Sequence, residues 1–371
     1  MLIVRPVIIA PDSAHWSRWI DAALRPTHRD HESAVTLYDR LIAAGRIPLL
    51  TFHHLEELLA IDDGDWAMRR IAFIQSLPLV GFVRCPDNGV QTGTIVDMLA
   101  AEVAAALAGA DSMAEVRKAA RGRLVRTGTG TDVIGTEMWV WSVVREECLR
   151  RNRSSRSIAA VRRMGLFDDR RTVGEIVKGS IRQPSERRSR LVRMSDEVTD
   201  HVRTRGDVRI EDPAGVANWF MSELGDVDLP PGIDVRGLLE WALTEQGLDR
   251  EEIRDDAILA DLNRLAIYRT RLKIIADYLE VPYVQLKEID PGILPSLSIH
   301  QGLERYGQDR QRRPGSDLTD ECLAALAPYV DELFVDRRTR EDFRRLRQAD
   351  KSLFDRIGMV RSAAQLDELL G

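Results

Sequence analysis

Cysteine is scarce, with only Cys85, Cys148 and Cys322 among 371 residues. They are odd in number and far apart, which excludes a disulfide framework and a zinc-ligand pattern. Lysine is almost as rare, at five of 53 cations, so basic chemistry here is arginine chemistry. No run approaches the roughly 20 apolar residues that a membrane-spanning helix needs. Met1 to Ala10 is short, interrupted by Arg5, and does not read as a secretory segment. The expectation is a cytoplasmic chain with no membrane partner. Cationic excess is also missing: the net charge of −6 excludes a protein that coats nucleic acid through its overall field. Any such binding has to come from local patches.

What is present is an ordinary globular composition, 44% hydrophobic and 30% charged, long enough for two cores. The first 85 residues alternate strand-like and helix-like segments. Val7 to Ala10 reads as a buried strand ended by Pro11. Ser33 to Ala44 reads as a helix with Val35, Leu37, Leu41 and Ile42 near one face, stopped by Gly45. Ile47 to Leu50 is strand-like again, and Thr51 can cap a helix continuing through Leu55, Leu58 and Leu59. Trp66 to Ser76 reads as helix and Leu79 to Val83 as a third strand. This alternation predicts a parallel sheet with crossover helices.

From about Thr92 to Glu288 the pattern is all-helical, and Thr127 to Thr131 reads as a flexible turn. The end returns to alternation: helix over Asp317 to Leu326, strand over Glu332 to Val335, helix over Thr339 to Arg347, strand over Met359 to Arg361, and a capping box at Ser362 to Gln365 opening a last helix. The fold expectation is an α/β domain with a parallel sheet in three layers, formed by residues 1–90 and 291–371 and interrupted by an all-α insertion over 91–290.

In open parallel sheets, ligands bind beyond the carboxyl ends of the strands. Asp12 follows the first strand and Asp336 follows Leu333-Phe334-Val335, so both can share a crevice if those strands are neighbours. Glu57 and Asp320 lie on helices nearby in the pattern, and Glu56 beside Glu57 leaves open which of the two points inward. Asp317 and Asp342 are outer candidates whose other reading is helix capping, Asp342 with Thr339.

These residues resemble the PIN-domain nucleases over roughly 1–88 and 292–371. The resemblance rests on Asp12-Ser13 after strand one, Thr51 followed by Glu57-Leu58, the acids of Ser316-Asp317-Leu318-Thr319-Asp320-Glu321, and Asp336 after the next strand. Where the family often carries Ser or Thr before the fourth acid, this chain has Phe334 and Val335. The resemblance implies a divalent-metal-dependent nuclease, with RNA favoured over DNA, in which Asp12, Glu57, Asp320 and Asp336 act as catalytic residues and ligands to Mg²⁺ or Mn²⁺. Crowded carboxylates need such a cation, and hard oxygen ligands select these ions.

Arg337, Arg338 and Arg313 are expected to hold the substrate backbone. Between Arg145 and Arg193, fifteen Arg or Lys face six Asp or Glu, a second nucleic-acid candidate. The alternatives are a DNA-directed nuclease and an inactive binding or scaffold protein. The apolar helical faces of the insertion could also serve a homo-oligomer or a protein partner. Trp16, Trp19, Trp66, Trp139, Trp141, Trp219 and Trp241 are expected in cores.

Overall fold

The structure is a computed structural model, described here for residues 5–85, 92–161, 169–178, 184–225, 234–308, 315–354 and 356–371. In chain order the strands are β1 (Val7–Pro11), β2 (Arg46–Leu50), β3 (Val80–Val83), β4 (Val125–Gly128), β5 (Glu332–Phe334) and β6 (Met359–Arg361). The helices are α1 (Ser13–Leu24), α2 (His31–Ala43), α3 (Phe52–Leu59), α4 (Gly64–Gln75), α5 (Ile95–Leu107), α6 (Met113–Leu124), α7 (Gly130–Ile134), α8 (Met138–Val161), α9 (Val173–Lys178), α10 (Pro184–Arg205), α11 (Pro213–Gly225), α12 (Val235–Glu245), α13 (Leu259–Leu279), α14 (Tyr283–Lys287), α15 (Pro295–Tyr306), α16 (Ser316–Ala324), α17 (Arg337–Ala349) and α18 (Lys351–Phe354).

The chain divides into two compact units. One comprises Met1–Arg153, Ile289–Asp309 and Leu318–Gly371; the other comprises Ser154–Glu288 and Arg310–Asp317. The first unit carries a sheet in the order β4-β3-β2-β1-β5-β6. All neighbours are parallel except β3 and β4. The α/β expectation therefore holds at this level, with a mostly parallel sheet.

Alternation along the strands explains why both faces are covered. Side chains of successive strand residues point to opposite faces. Ile9, Leu50, Val80 and Phe334 pack with Trp16, Trp19, Leu37, Leu41, Leu55 and Ile71 in one core. Ile8, Ala10, Ile47, Leu49, Val83, Leu333 and Val335 pack with Met98, Leu124, Ile299, Phe343 and Leu346 in another. In the first core Trp16 stacks on Trp19 with centroids 5.1 Å apart, worth about 1 kcal/mol beyond burial. Their indole N–H groups donate to the carbonyls of Leu49 and Ala34. The second unit has its own smaller cores, around Val173, Leu243 and Leu262 and around Val198, Val202 and Ala217.

Several expectations need correction. The 92–288 region is not all-helical: β4 pairs antiparallel with β3, and the Thr127 to Thr131 stretch is the end of β4 plus the capped start of α7, where Thr129 accepts from the Asp132 N–H. Val35 lies off the core face of α2 and is 53% exposed. The Ser362 to Gln365 capping box does not form; a short 3-10 turn at Leu366–Leu370 follows Gln365, which makes no side-chain cap. Thr339 does not cap α17, because Asp336 does so three residues earlier. Of the tryptophans, Trp139 is 67% exposed and Trp219 is 40% exposed rather than core.

One buried acid lies outside the sheet edge. Glu102 on α5 is fully buried and accepts hydrogen bonds from the Ser296 N–H (2.8 Å), the Ser296 hydroxyl (2.9 Å) and the Tyr329 hydroxyl. Burial, with no cation to offset it, pushes its pKa up to about 7. The folded pKa lies above the unfolded value, so the unfolded state loses its proton first as pH rises. The neutral carboxyl costs nothing below about pH 4.5. Between there and pH 7 stability falls, by roughly 3 kcal/mol in all. Glu102→Gln, which keeps an acceptor oxygen for the Ser296 N–H and the Tyr329 hydroxyl and does not ionise, is expected to remove that slope. Urea titrations at pH 4.5, 6 and 8 check it, and parallel pH profiles for the two proteins would contradict it.

Candidate functional site

β1 pairs with β5 through Ile9 with Glu332, Ala10 with Leu333 and Pro11 with Phe334. The strand order runs one way from β1 to β2 and β3 and the other way to β5 and β6, so the β1/β5 junction is the switch point at which open α/β sheets open a crevice. Asp12 leaves the carboxyl end of β1, and Asp336 follows β5 at the same edge of the sheet. The two acids stand on neighbouring strand ends although 323 residues separate Ile8 from Asp331, whose carboxylate accepts the Ile8 N–H at the other end of this pair.

Each acid also caps a helix. Asp12 is the N-cap of α1: its Oδ1 accepts the His15 N–H at 2.8 Å and is bonded to His15 Nδ1. His15 Nε2 lies 2.9 Å from the Ala363 carbonyl. Both ring nitrogens thus face oxygen atoms, one of Asp12 and one of Ala363. Asp336 is the N-cap of α17, accepting the Thr339 N–H at 2.6 Å and Arg338 Nε at 3.0 Å. Burial raises the Asp336 pKa, but the Thr339 and Arg338 bonds outweigh it, so the net shift is downward.

The acidic pair on α3 is resolved by its neighbours. Glu56 is bonded to His53 Nδ1 (2.9 Å) and Arg151 (3.1 Å). Glu57 instead lies within reach of the Asp12 charge. Burial is the largest influence on its carboxyl and the charge of Asp12 adds to it, so its pKa is raised although the Ser13 and Thr319 hydroxyls and His53 counteract. Ser13 Oγ is buried and stands beside this carboxyl outside hydrogen-bond geometry, without a partner of its own. Thr319 precedes Asp320 on α16, so the part-buried Asp320 is carried on the segment that meets Glu57.

His54 fixes this arrangement from beneath. It closes a capping box with Thr51, its Nδ1 accepting the Thr51 N–H at 2.9 Å and its Nε2 donating to the Pro11 carbonyl at 2.8 Å. Burial lowers its pKa to about 4, so it is neutral at pH 7 and ties the start of α3 to the residue before Asp12.

The structure therefore brings Asp12 and Glu57 together, sets Asp336 on the adjoining strand end and carries Asp320 beside Thr319. Among the described residues, no three His, Cys, Asp or Glu side chains are grouped so as to hold a metal ion. Asp342 is buried and accepts the Gln308 N–H at 2.7 Å, away from the role expected with Thr339. Arg337 and Arg338 are exposed at the start of α17. Arg313, Arg310 and Arg312 lie outside the described residues.

The Arg145 to Arg193 stretch is partly neutralised where it is described. Arg145 donates to the Ile61 and Asp62 carbonyls, and Arg150 and Arg151 pair with Glu147. Burial pushes the Cys148 thiol up to about 12.

Sequence reasoning missed α1, His15 and the neutral role of His54. The signal for α1 was legible: a capping Asp followed by Trp16, Trp19 and Ile20 at helical spacing. His15 three residues after Asp12 fits the same cap, but its second contact, Ala363, is 348 residues away and has no local signature. No helix among the described residues is long and apolar enough to cross a membrane. No protein-family model, curated protein or solved structure matches this chain.

Proposed function

We propose that the first unit is a PIN-like nuclease domain that hydrolyses phosphodiester bonds of RNA with the help of Mg²⁺ or Mn²⁺. The observation that carries this reading is the position of Asp12 and Asp336 on paired parallel strand ends at the switch point, with the raised carboxyl of Glu57 within reach of the Asp12 charge.

The donor set suits an ion of this kind. Mg²⁺ keeps several waters and needs only one or two carboxylates besides its substrate, so the Asp12–Glu57 pair suffices without a cage of three. When bound, such an ion activates a water and neutralises charge on the phosphate. Asp12 and Glu57 would hold it, with Asp320 and Asp336 completing the surround. Glu57, placed near the charge of Asp12, would also orient water on that ion. His54 and the α1 cap keep Asp12 in place, and Arg337 and Arg338 stand where the scissile backbone would enter.

The test is cleavage of matched labelled single-stranded RNA and DNA in Mn²⁺, Mg²⁺ and EDTA. Mn²⁺-dependent cutting of the RNA, at least ~100-fold above EDTA, is expected. No cutting of either strand with either ion rejects the reading. A second reading, a catalytically inactive binding protein of the same fold, is favoured by the engagement of Asp12 with His15 and of Asp336 with Arg338. It predicts RNA retention without cleavage.

A further inference from the structure

α17 begins directly after Asp336 and is built from RRTREDFRRLRQA. Its core side is Thr339, Asp342, Phe343 and Leu346, all buried. Its other side carries Arg337, Arg338, Arg340, Arg344, Arg345 and Arg347, all exposed. Among the described residues, Glu341 pairs with Arg344 and Arg345, and Asp336 with Arg338; Arg347 has a further interaction of its own. Six arginines against these two acids make a basic face on a chain whose net charge is −6.

We propose that the arginine face of α17 is a track for the phosphate backbone of a single-stranded RNA, leading away from the Asp12/Asp336 crevice. The choice of RNA rests on the function proposed above; the track itself rests on charge and placement. From Arg337 to Arg347 the helix rises ~15 Å, long enough for more than one successive phosphate of a single strand to lie along it. Arginine presents a planar fork suited to phosphate oxygens. A membrane is not the occupant this face fits, because the apolar side that would enter lipid is already buried in the second core. Arg340 also donates to the Ser362 hydroxyl beyond β6, which holds the near end of the track at the sheet edge. The contacts are to backbone, so binding should be sequence-tolerant and steeply dependent on salt.

The experiment is fluorescence anisotropy with a labelled 20-mer oligouridine and the full chain in EDTA, where cleavage does not interfere. The variants are R344A/R345A/R347A, the charge-keeping R344K/R345K/R347K, and a control, R29A/R69A/R123A, taken from exposed arginines on other elements. The alanine triple is expected to weaken binding at least ~10-fold and to reduce the slope of log K against log salt by about 2, at ~0.7 per lost phosphate contact. The lysine triple should stay within about threefold of the wild type, and the control should be unchanged. Equal weakening by the alanine triple and the control overturns the track. So does a labelled oligoglutamate that binds as tightly as the RNA, which would assign the face to an acidic protein. Failure of the nuclease reading is seen separately, as intact RNA in Mn²⁺ with the binding results unaltered.

Discussion

Asp336→Asn is expected to reduce Mn²⁺-dependent RNA cleavage by at least ~100-fold while leaving the melting curve nearly unchanged. The separation follows from the two jobs of this side chain. As N-cap of α17 it accepts the Thr339 N–H at 2.6 Å, and asparagine caps as well as aspartate. The ion pair with Arg338 is lost, but both side chains are substantially exposed, so the loss in stability is small. The negative charge at the strand end is what disappears. Asp336 is normally held ionised by Thr339 and Arg338 against the effect of burial, so the wild type carries that charge throughout the neutral range. Single-turnover cleavage alongside circular-dichroism melts measures both. Activity within about threefold of wild type would remove Asp336 from the proposed site. Asp12→Asn should lose comparable activity and, by relieving Glu57 of a neighbouring charge, shift the Glu57 pKa downward.

Gly130→Ala is expected to destabilise the first unit by about 3 kcal/mol or more. A Cβ at this position would lie 1.7 Å from the Ile74 carbonyl oxygen, 2.7 Å from its carbon and 2.9 Å from Gln75 Cα. All three are backbone atoms at the end of α4, where Gly130 N–H also donates to the Leu77 carbonyl at 2.8 Å. No rotamer change relieves the clash; α4 or α7 has to move. Gly122→Ala provides the contrast. It is exposed within α6, nothing lies within 4 Å of its added Cβ, and it should stabilise by up to ~1 kcal/mol. Urea midpoints followed by tryptophan fluorescence, which reports on Trp16 and Trp19 in this unit, distinguish the two. An unshifted midpoint for Gly130→Ala would mean that α7 does not pack on α4 as described.

Gly130 also shows where local signals end. In sequence it belongs to a glycine- and threonine-rich stretch with the composition of a turn; in the fold the stretch is an edge strand and a capped helix start. The glycine is needed because another helix end passes close by, and that neighbour is set by tertiary packing. Val35 fails for a local reason instead: at roughly 3.6 residues per turn it lies about 160° round α2 from Leu37 and about 120° from Leu41, off the buried stripe, and it is 53% exposed. Leu37 and Leu41 are buried because they fall at the centre of the same stripe.

The acids divide in the same manner. An aspartate just past a buried strand and just before a helix has a local cause, since strand alternation and N-capping act within a few residues; Asp12 and Asp336 were legible on that basis. Glu56 and Glu57 are indistinguishable by pattern. The packing of α3, which brings Arg151 to one and the charge of Asp12 to the other, separates them.

The amino-acid order alone determined the strand and helix alternation, the buried strand cores and the two strand-end aspartates, because each depends on interactions within one or two turns of chain. Tertiary structure decided that β5 lies beside β1, that β4 closes the edge of the sheet, that His15 reaches Ala363 and that Glu57 rather than Glu56 lies within reach of the Asp12 charge. These depend on contacts between segments up to hundreds of residues apart, whose pairing is selected by the burial of whole faces and leaves no mark on any short stretch of sequence.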